Sequence, residues 1–257
     1  MINFKAYPQL TEINIPDLVR SSTTSYYNAF RGMTNLQKIS NIHKNVTNMA
    51  YAYQYCTNLT TAVCGPNVTN MRNAYNNCRN LTTAVCGPNV TDMGGAYYNC
   101  TNLTTAVCGN KVTNMSYAYQ NCTNLTTAVC GPNVTNMSYA YQNCTNLTTA
   151  VCGPNVTNMS YAYQNCTNIQ GNVYFYSNNI SNMVSCFNGR NNSKMLNIYV
   201  HNGSTTLSKC IDTSSLTNKY TIWTDATSTN GCYYNTTRNI YIYPVANVEE
   251  ARIANGD

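Results

Sequence analysis

The sequence predicts a β-rich solenoid, a stack of similar coils, that ends in an irregular β-rich region. Two observations lead to this prediction: a strict internal period, and Gly-Pro-Asn turn chemistry inside most periods. A leucine or isoleucine marks each step of 22 residues, at Leu59, Leu81, Leu103, Leu125, Leu147 and Ile169. Repeats of this kind bury an apolar face only by stacking on their neighbours. We therefore expect one continuous array, with its core running along the stack.

The repeating unit reads Leu-Thr-Thr-Ala-Val-Cys-Gly-Pro-Asn-Val-Thr-Asn-Met-Ser-Tyr-Ala-Tyr-Gln-Asn-Cys-Thr-Asn. It occurs unchanged at 125–146 and 147–168, and with a few changes at 59–80, 81–102 and 103–124. Looser copies begin at Leu10 and Leu36. A unit of 22 residues is too short for a helical-hairpin repeat of roughly 33 to 45 residues but lies within the roughly 20 to 29 of leucine-rich repeats. The expected fold is thus a leucine-rich-repeat type of β-solenoid with 22-residue coils and one strand per coil.

Within a coil, the strand is expected at the first six residues, as in 59–64. Leu59, Ala62 and Cys64 fit the L-x-x-L-x-L pattern and should point inward, so that Thr61 and Val63 point outward. The Gly-Pro-Asn sequence then turns the chain. A short helical or irregular arc should return to the core through apolar residues at spacings of three or four, namely Val68, Met71, Ala74, Tyr75 and Cys78.

The order Leu-x-x-Ala-x-Cys, Asn-Val-Thr-Asn-Met, Ala-Tyr-x-x-Cys-x-x-Leu resembles the BspA-type leucine-rich repeats of bacterial surface proteins, over about 10–169. This sequence differs in having Tyr where Phe is usual and Ala and Cys where Ile or Leu is usual, which predicts a thinner core. The C-terminal part also resembles the ends of leucine-rich-repeat proteins from gut bacteria and their phages. The resemblance implies adhesion to cells, matrix proteins or glycans.

Three regions are expected along the chain. Residues 1–35 form an N-terminal cap and degenerate repeat, 36–169 the leucine-rich-repeat solenoid, and 170–257 an irregular C-terminal β-rich cap or recognition module. Alternating apolar and polar residues predict strands in the last region, at 173–176, 196–200, 220–223 and 239–243. A final short helix should follow Asn247, which is a favourable helix cap.

Fourteen cysteines raise the question of disulfides or metal, but eleven of them fall in two columns at positions expected in the core. The columns are Cys56, Cys78, Cys100, Cys122, Cys144 and Cys166, and Cys64, Cys86, Cys108, Cys130 and Cys152. Buried thiols behave as small apolar groups, so we expect packing, with cross-links or metal as the alternatives, and no cofactor. Cys186, Cys210 and Cys232 fit neither column.

Composition excludes several function classes. Only 9% of the residues are charged, and Arg72, Arg79, Asp92 and Lys111 are the only charged residues between 50 and 169. No basic stripe is present for nucleic acid, and no apolar stretch is long enough to insert in a membrane. No signal peptide is visible. His43 and His201 lie far apart in sequence and no pair of carboxylates or nucleophile with a base is evident, so no catalytic site is expected.

The repeats also predict surface columns. Tyr53, Tyr75, Tyr97, Tyr119, Tyr141 and Tyr163 should fill the core position usually held by Phe, while the column containing Tyr51 should be exposed. Exposed aromatic residues can stack on sugar rings or anchor a protein partner. The Thr and Val columns of the strand should form a flat strip. The candidate ligand-binding face therefore comprises Tyr117, Tyr139, Tyr161, Thr105, Thr127, Thr149, Val107, Val129 and Val151.

These features predict a non-enzymatic adhesion or host-recognition protein that binds a cell-surface glycan or protein. A phage tail fibre or other virion-surface component is the first expectation, and a bacterial cell-surface adhesin fits the same features. Attachment to a larger particle or a homo-oligomer would agree with either. The alternative from another class is a structural repeat protein, in which the coils assemble into a filament or decoration layer.

Overall fold

A computed structural model describes residues 7–14, 22–211, 221–223, 232–235 and 239–257. Two short strands, β1 (Glu12–Ile13) and β2 (Lys38–Ile39), pair in parallel near the amino end. The repeat array follows and is made almost wholly of turns and isolated bridges. The carboxyl end contains β3 (Gly171–Phe175), β4 (Leu196–His201), α1 (Thr205–Ile211), β5 (Thr221–Trp223), β6 (Cys232–Asn235), β7 (Ile240–Val245) and α2 (Val248–Ala254).

Parallel bridges stack the coils one on the next. The main ladder joins equivalent residues of successive coils and runs through Ser25, Asn48, Asn70, Asp92, Asn114, Asn136, Asn158 and Asn182. At most of these rungs the side-chain oxygen also accepts a hydrogen bond from the backbone nitrogen two residues later, as Asn136 Oδ1 does from Ser138 at 3.0 Å. Asparagine suits this position because its short side chain can form such a turn with its own backbone.

An aromatic spine forms the centre of the core. Successive rings stack with centroids 4.9 to 5.6 Å apart and nearly parallel planes, along Phe30, Tyr53, Tyr75, Tyr97, Tyr119, Tyr141, Tyr163 and Phe187. The leucine, Val68, Met71 and Cys78 columns surround the spine and are fully buried in every regular coil. The prediction that the Tyr75 column replaces core Phe is confirmed.

The predicted strand at Leu-Thr-Thr-Ala-Val-Cys is wrong for the array. Between residues 59 and 152 this stretch carries one bridge within the array, Thr83 to Thr105, and Cys152 pairs with Phe175 of β3. The reason is a competing hydrogen bond: the Val129 backbone nitrogen donates to Tyr141 Oη at 3.0 Å, and Oη donates to the Val129 carbonyl at 2.6 Å. The spine hydroxyl thus takes the backbone groups that a strand ladder would use.

The inward and outward assignments need two corrections. Thr61 and its equivalents are exposed as expected, but Val63 is half-buried and packs against the core. Conversely, Cys64, Cys86, Cys108 and Cys130, expected at core positions, are half-buried, and only Cys152 of that column is buried. The column of Cys78 is buried as expected.

In the C-terminal region the strands form a five-stranded sheet of order β3-β4-β7-β6-β5. The first three strands are parallel, and β6 and β5 are antiparallel. Phe187 ends the spine and has no hydroxyl, so the backbone of Phe175 is left to pair with Val200 of β4. The strand β6 and the helix α1 were not expected from the sequence. Asn247 caps α2, as expected, by accepting hydrogen bonds from the backbone nitrogens of Glu249 and Glu250.

Candidate interaction surface

The outer tyrosines form a stacked ladder on one side of the array. Ring centroids of Tyr117 and Tyr139 are 4.7 Å apart, and those of Tyr139 and Tyr161 are 4.6 Å apart. Tyr117 is 42% exposed, whereas the other two are half-buried. Partial burial and the two neighbouring phenols raise the pKa of Tyr139 above its ordinary value. The stack therefore presents hydroxyls and ring edges to solvent.

A left-handed backbone directs these rings outward. The φ angles of Tyr117, Tyr139 and Tyr161 are 59°, 57° and 57°, a conformation that costs a non-glycine residue about 1 to 2 kcal/mol. In other coils the same position holds Asn73 with φ 52° and Gly95 with φ 63°, residue types that tolerate this region. The side chain at this position can therefore vary without a change of backbone.

Two ladders of amides flank the outer tyrosines. Gln120, Gln142 and Gln164 are joined by hydrogen bonds between their side chains. Asn143 Nδ2 donates to Asn121 Oδ1 at 2.7 Å, and Asn165 Nδ2 donates to Asn143 Oδ1 at 2.9 Å. We call this surface the tyrosine wall, comprising Tyr117, Tyr139, Tyr161, Gln120, Gln142, Gln164, Asn121, Asn143 and Asn165.

The structure places the predicted Thr and Val residues elsewhere. Thr105, Thr127 and Thr149 are exposed, and Val107, Val129 and Val151 are half-buried. They lie across the core from the tyrosine wall, because the buried ring of Tyr141 begins beside Tyr139 and ends on the backbone of Val129. The nine candidate residues thus form two surfaces on opposite sides of the coil. The amide ladders were missed, although the recurrence of Gln-Asn after the paired tyrosines was a usable signal.

A third surface is a shallow groove of about 630 Å³ lined by Thr24, Asn45, Thr47, Asn67, Thr69, Asn89, Thr91 and Lys111. Its polar groups are already engaged along the stack. Thr69 Oγ1 donates to the Thr47 carbonyl at 3.3 Å, Asn89 Nδ2 donates to the Pro66 carbonyl at 2.9 Å, and Lys111 Nζ donates to Asn89 Oδ1 at 2.7 Å. These bonds hold neighbouring coils together and leave less hydrogen-bonding capacity for a ligand.

All thirteen cysteines whose side chains the structure describes are free thiols. In the buried column, Cys122 Sγ donates to the Tyr97 carbonyl of the preceding coil at 3.1 Å. Burial raises the pKa of Cys64 and Cys108 to about 12, and that of Cys130 to about 11. Cys186 and Cys210, which the sequence left unplaced, are buried; the side chain of Cys232 lies outside the described residues.

Other classes of site find no support in the described part of the chain. It contains no group of three or more His, Cys, Asp or Glu side chains placed to hold a metal ion. None of its helices is both long and apolar enough to cross a bilayer. His43 is buried and its Nδ1 accepts a hydrogen bond from the Asn45 backbone at 3.2 Å, while His201 lies at the end of β4.

The C-terminal sheet carries a second tyrosine stack. Ring centroids are 5.0 Å apart between Tyr174 and Tyr199 and 4.9 Å apart between Tyr199 and Tyr243. The end of the chain contacts this stack, because Tyr174 Oη donates to Asp257 Oδ2 at 2.6 Å and Asn255 Nδ2 donates to Tyr174 Oη at 3.0 Å. Burial, then the Asp257 carboxylate, raises the pKa of Tyr174 to about 12. This stack is thus already partly occupied within the chain.

The repeat geometry agrees with comparisons to known proteins. A model of the BspA type leucine rich repeat region matches residues 2–95 and 94–221 with six copies. The chain belongs to the BspA-type leucine-rich-repeat family. Comparison with curated proteins finds no match. Repeats of this family generally form scaffolds for protein interactions, and no enzymatic family matches this chain.

Solved leucine-rich-repeat proteins from Bacteroides ovatus and Eubacterium ventriosum share the fold of this BspA-type chain. One from Bacteroides ovatus is 16% identical with a TM-score of 0.57 and aligns over 75% of this chain and 58% of its own. Another from Eubacterium ventriosum is 21% identical with a TM-score of 0.55, over 77% and 62%. The chain thus spans about three fifths of the length of these two proteins. A leucine rich cell surface protein from Faecalibacterium prausnitzii is 19% identical, over 79% and 70%, with a TM-score of 0.38.

Proposed function

We propose that this protein is a non-enzymatic recognition protein whose repeat array binds a cell-surface glycan or protein through the tyrosine wall. The observation that carries the proposal is that the two tyrosine columns differ in burial and in hydrogen bonding. The spine tyrosines are buried and hydrogen-bonded within the core, whereas the outer tyrosines stack at the surface, where they are exposed or half-buried. Tyrosine is a frequent anchor of binding surfaces because it combines a large rigid ring with a polar group.

The family supports a proposal for the place of action. BspA-type repeats occur in bacterial surface proteins, which favours a bacterial cell-surface adhesin. The second form of the proposal is the virion-surface position expected from the sequence. In that form the same tyrosine wall binds a host cell. In both forms the array supplies a rigid surface because each coil is bonded to the next along several ladders.

Binding of the fluorescently labelled full chain to intact bacterial cells and to mucin-coated beads tests the proposal. Cell-wall polysaccharide and soluble mucin serve as competitors. We expect saturable binding that a competitor reduces. If the protein binds no surface and instead assembles with rising concentration in analytical ultracentrifugation, the result would indicate the structural filament or decoration protein.

The matched variant replaces Tyr117, Tyr139 and Tyr161 by Asn, the residue that position 73 holds with the same left-handed backbone. Its control replaces Thr105, Thr127 and Thr149 by Ser on the opposite side of the coil. Loss of binding in the tyrosine variant alone supports the wall as the binding surface. Loss in the threonine variant alone moves the site to the other side and overturns the assignment.

A further inference from the structure

The coil at 81–102 departs from the repeat unit at four positions, and all four lie in one segment. Compared with the unchanged copy at 125–146, it has Asp92 for Asn, Gly94 for Ser, Gly95 for Tyr and Tyr98 for Gln. The remaining residues of the two coils are the same. The preceding coil contributes changes beside them, Arg72 for Ser, Asn73 for Tyr and Asn76 for Gln, and has Arg79 for Thr farther along. In an array copied so closely, this concentration marks one local surface, which we call the notch.

The notch lies at the end of the outer tyrosine ladder. Backbone hydrogen bonds fix the order along the stack, because Asn73 N donates to the Gly94 carbonyl at 2.9 Å and Gly95 N donates to the Ser116 carbonyl at 2.8 Å. Gly95 therefore stands between Asn73 and Tyr117, where the coils at 103–124, 125–146 and 147–168 place a ring. Tyr139 covers one face of the Tyr117 ring, while Gly95 supplies no ring on the other side, and Tyr117 is 42% exposed.

Two polar side chains lie beside the paired glycines, because a β-carbon at Gly94 would lie 3.1 Å from Asp92 Oδ1 and one at Gly95 would lie 2.4 Å from Asn73 Oδ1. Asp92 Oδ1 accepts hydrogen bonds from the Gly94 backbone at 2.8 Å and from Asn114 Nδ2 at 2.9 Å, which fixes the carboxylate and leaves Oδ2 to accept from a ligand. Asn73 Oδ1 accepts from Asn76 Nδ2 at 3.0 Å, which orients the Asn73 amide over Gly95 with Nδ2 able to donate. The half-buried Tyr98 is the only aromatic residue in the amide column of the five regular coils.

We propose that the notch binds one neutral pyranose ring of a saccharide, with the apolar ring face on Tyr117 and hydroxyls bonded to Asp92 and Asn73. This deepens, and rests on, the proposed function. A pyranose fits because its C–H face packs on an aromatic ring while its hydroxyls both donate to a carboxylate and accept from an amide. A fixed carboxylate forms stronger hydrogen bonds with hydroxyls than a neutral acceptor does.

The test uses a variant that restores the regular unit, with Asp92→Asn, Gly94→Ser, Gly95→Tyr and Tyr98→Gln. Its fold is protected because the coils at 125–146 and 147–168 have this sequence already, and Gly95 has the φ of 63° that the outer tyrosines adopt. A β-carbon at Gly95 would lie 2.4 Å from Asn73 Oδ1, so the flexible Asn73 side chain must move. The control variant, Thr61→Ser, alters an exposed side chain on the opposite side of the coil, outside the tyrosine wall.

Binding is measured by saturation-transfer NMR and calorimetry on the full chain, with neutral trisaccharides of glucose, galactose, mannose and N-acetylglucosamine as separate probes. We expect at least one trisaccharide to bind the parent protein and the Thr61→Ser control alike, and to bind the restored variant at least about tenfold more weakly. Equal binding to the parent and to the restored variant would show that the saccharide binds elsewhere and that the notch is not its site.

Three further outcomes separate the notch from the proposed function. If the probes fail and N-acetyltryptophanamide binds the parent but not the restored variant, the notch accepts an aromatic side chain and the saccharide assignment is wrong. If no probe binds while both proteins bind cells equally, the notch is wrong and the proposed function stands. If neither protein binds any cell surface, the proposed function itself fails.

Discussion

The hydroxyl of Tyr141 satisfies both backbone groups of Val129, accepting from its nitrogen at 3.0 Å and donating to its carbonyl at 2.6 Å. Tyr141 is fully buried and Val129 belongs to the same coil, twelve residues earlier. One side chain thus joins the two sides of the coil across the core. The same contact recurs in each regular coil, so the tyrosine for phenylalanine exchange is structural.

This contact predicts that Tyr141→Phe destabilises the protein. Removal of the hydroxyl leaves a partly buried nitrogen and carbonyl without a partner, which costs roughly 1 to 3 kcal/mol. The free energy of unfolding from urea denaturation measures the effect. The matched control is Tyr139→Phe in the same coil, where the lost hydroxyl lies at the surface and the expected change is within about 0.5 kcal/mol. Equal effects at the two positions would contradict this role of the spine hydroxyl.

Stability should fall steeply at alkaline pH. Burial raises the pKa of the core thiols and of the spine phenols, to about 12 for Cys56 and Cys144 and well above the ordinary value for Tyr75 and Tyr141. In the unfolded chain thiols lose their protons near pH 8.5 and phenols near pH 10. Groups with raised folded pKa values contribute full stability below the unfolded pKa and lose it as the pH rises toward the folded pKa.

Urea denaturation at intervals from pH 7 to pH 11 tests this linkage. We expect the free energy of unfolding to remain level to about pH 8 and then to decline with increasing slope, because the unfolded state releases protons that the folded state retains. Iodoacetamide should label few of the described thiols in the native protein at pH 8, since the thiolate is the reacting form. A level stability profile through pH 11, or rapid labelling of Cys122, would show that these thiols are accessible.

The glycine after each strand-like segment is predicted to be intolerant of a methyl group. A β-carbon on Gly131 would lie 2.9 Å from Cys108 Sγ and 2.9 Å from the Gly109 carbonyl oxygen of the preceding coil. One of these neighbours is backbone, so Gly131→Ala should destabilise by about 1 to 3 kcal/mol through overcrowding. Thermal unfolding compares it with Thr127→Ala on the exposed strip, for which little change is expected. A neutral Gly131→Ala would mean that the coils can separate at this edge.

The repeat period was enough to predict the buried columns. Leu125, Met137, Tyr141 and Cys144 recur at one register, and stacking gives each residue type the same environment in every coil. The two looser copies at the amino end were also recognisable. Periodicity therefore predicts these columns, because burial depends on position within the coil, although it also assigned the half-buried Cys130 column to the core.

The period did not predict which groups the backbone of the strand-like segment would hydrogen-bond to. The segment holding Val129 reads as a strand, but its backbone bonds to Tyr141, a residue that approaches only after the coil closes. Similarly, nothing local indicates that Tyr139 adopts a left-handed backbone, which Asn and Gly adopt more readily. The hydroxyl bond to Val129 and the left-handed backbone of Tyr139 together point the two tyrosine columns in opposite directions. They thereby determine which side of the coil carries the candidate surface.

A stability comparison separates the outer tyrosine column from the core. The Tyr117→Asn, Tyr139→Asn and Tyr161→Asn triple variant should unfold at nearly the same urea concentration as the parent, because asparagine suits the left-handed backbone at all three positions. Leu125→Ala, by contrast, truncates a fully buried side chain and should cost about 2 to 5 kcal/mol. A collapse of stability in the triple variant would make the outer column part of the core.

A titration of labelled parent and triple-asparagine variant, side by side, on intact bacterial cells tests whether the tyrosine wall is the recognition surface. We expect saturable binding by the parent and loss of that binding by the variant, whose urea midpoint stays unchanged. Undiminished binding by a folded variant would show that the tyrosine wall is not the recognition surface.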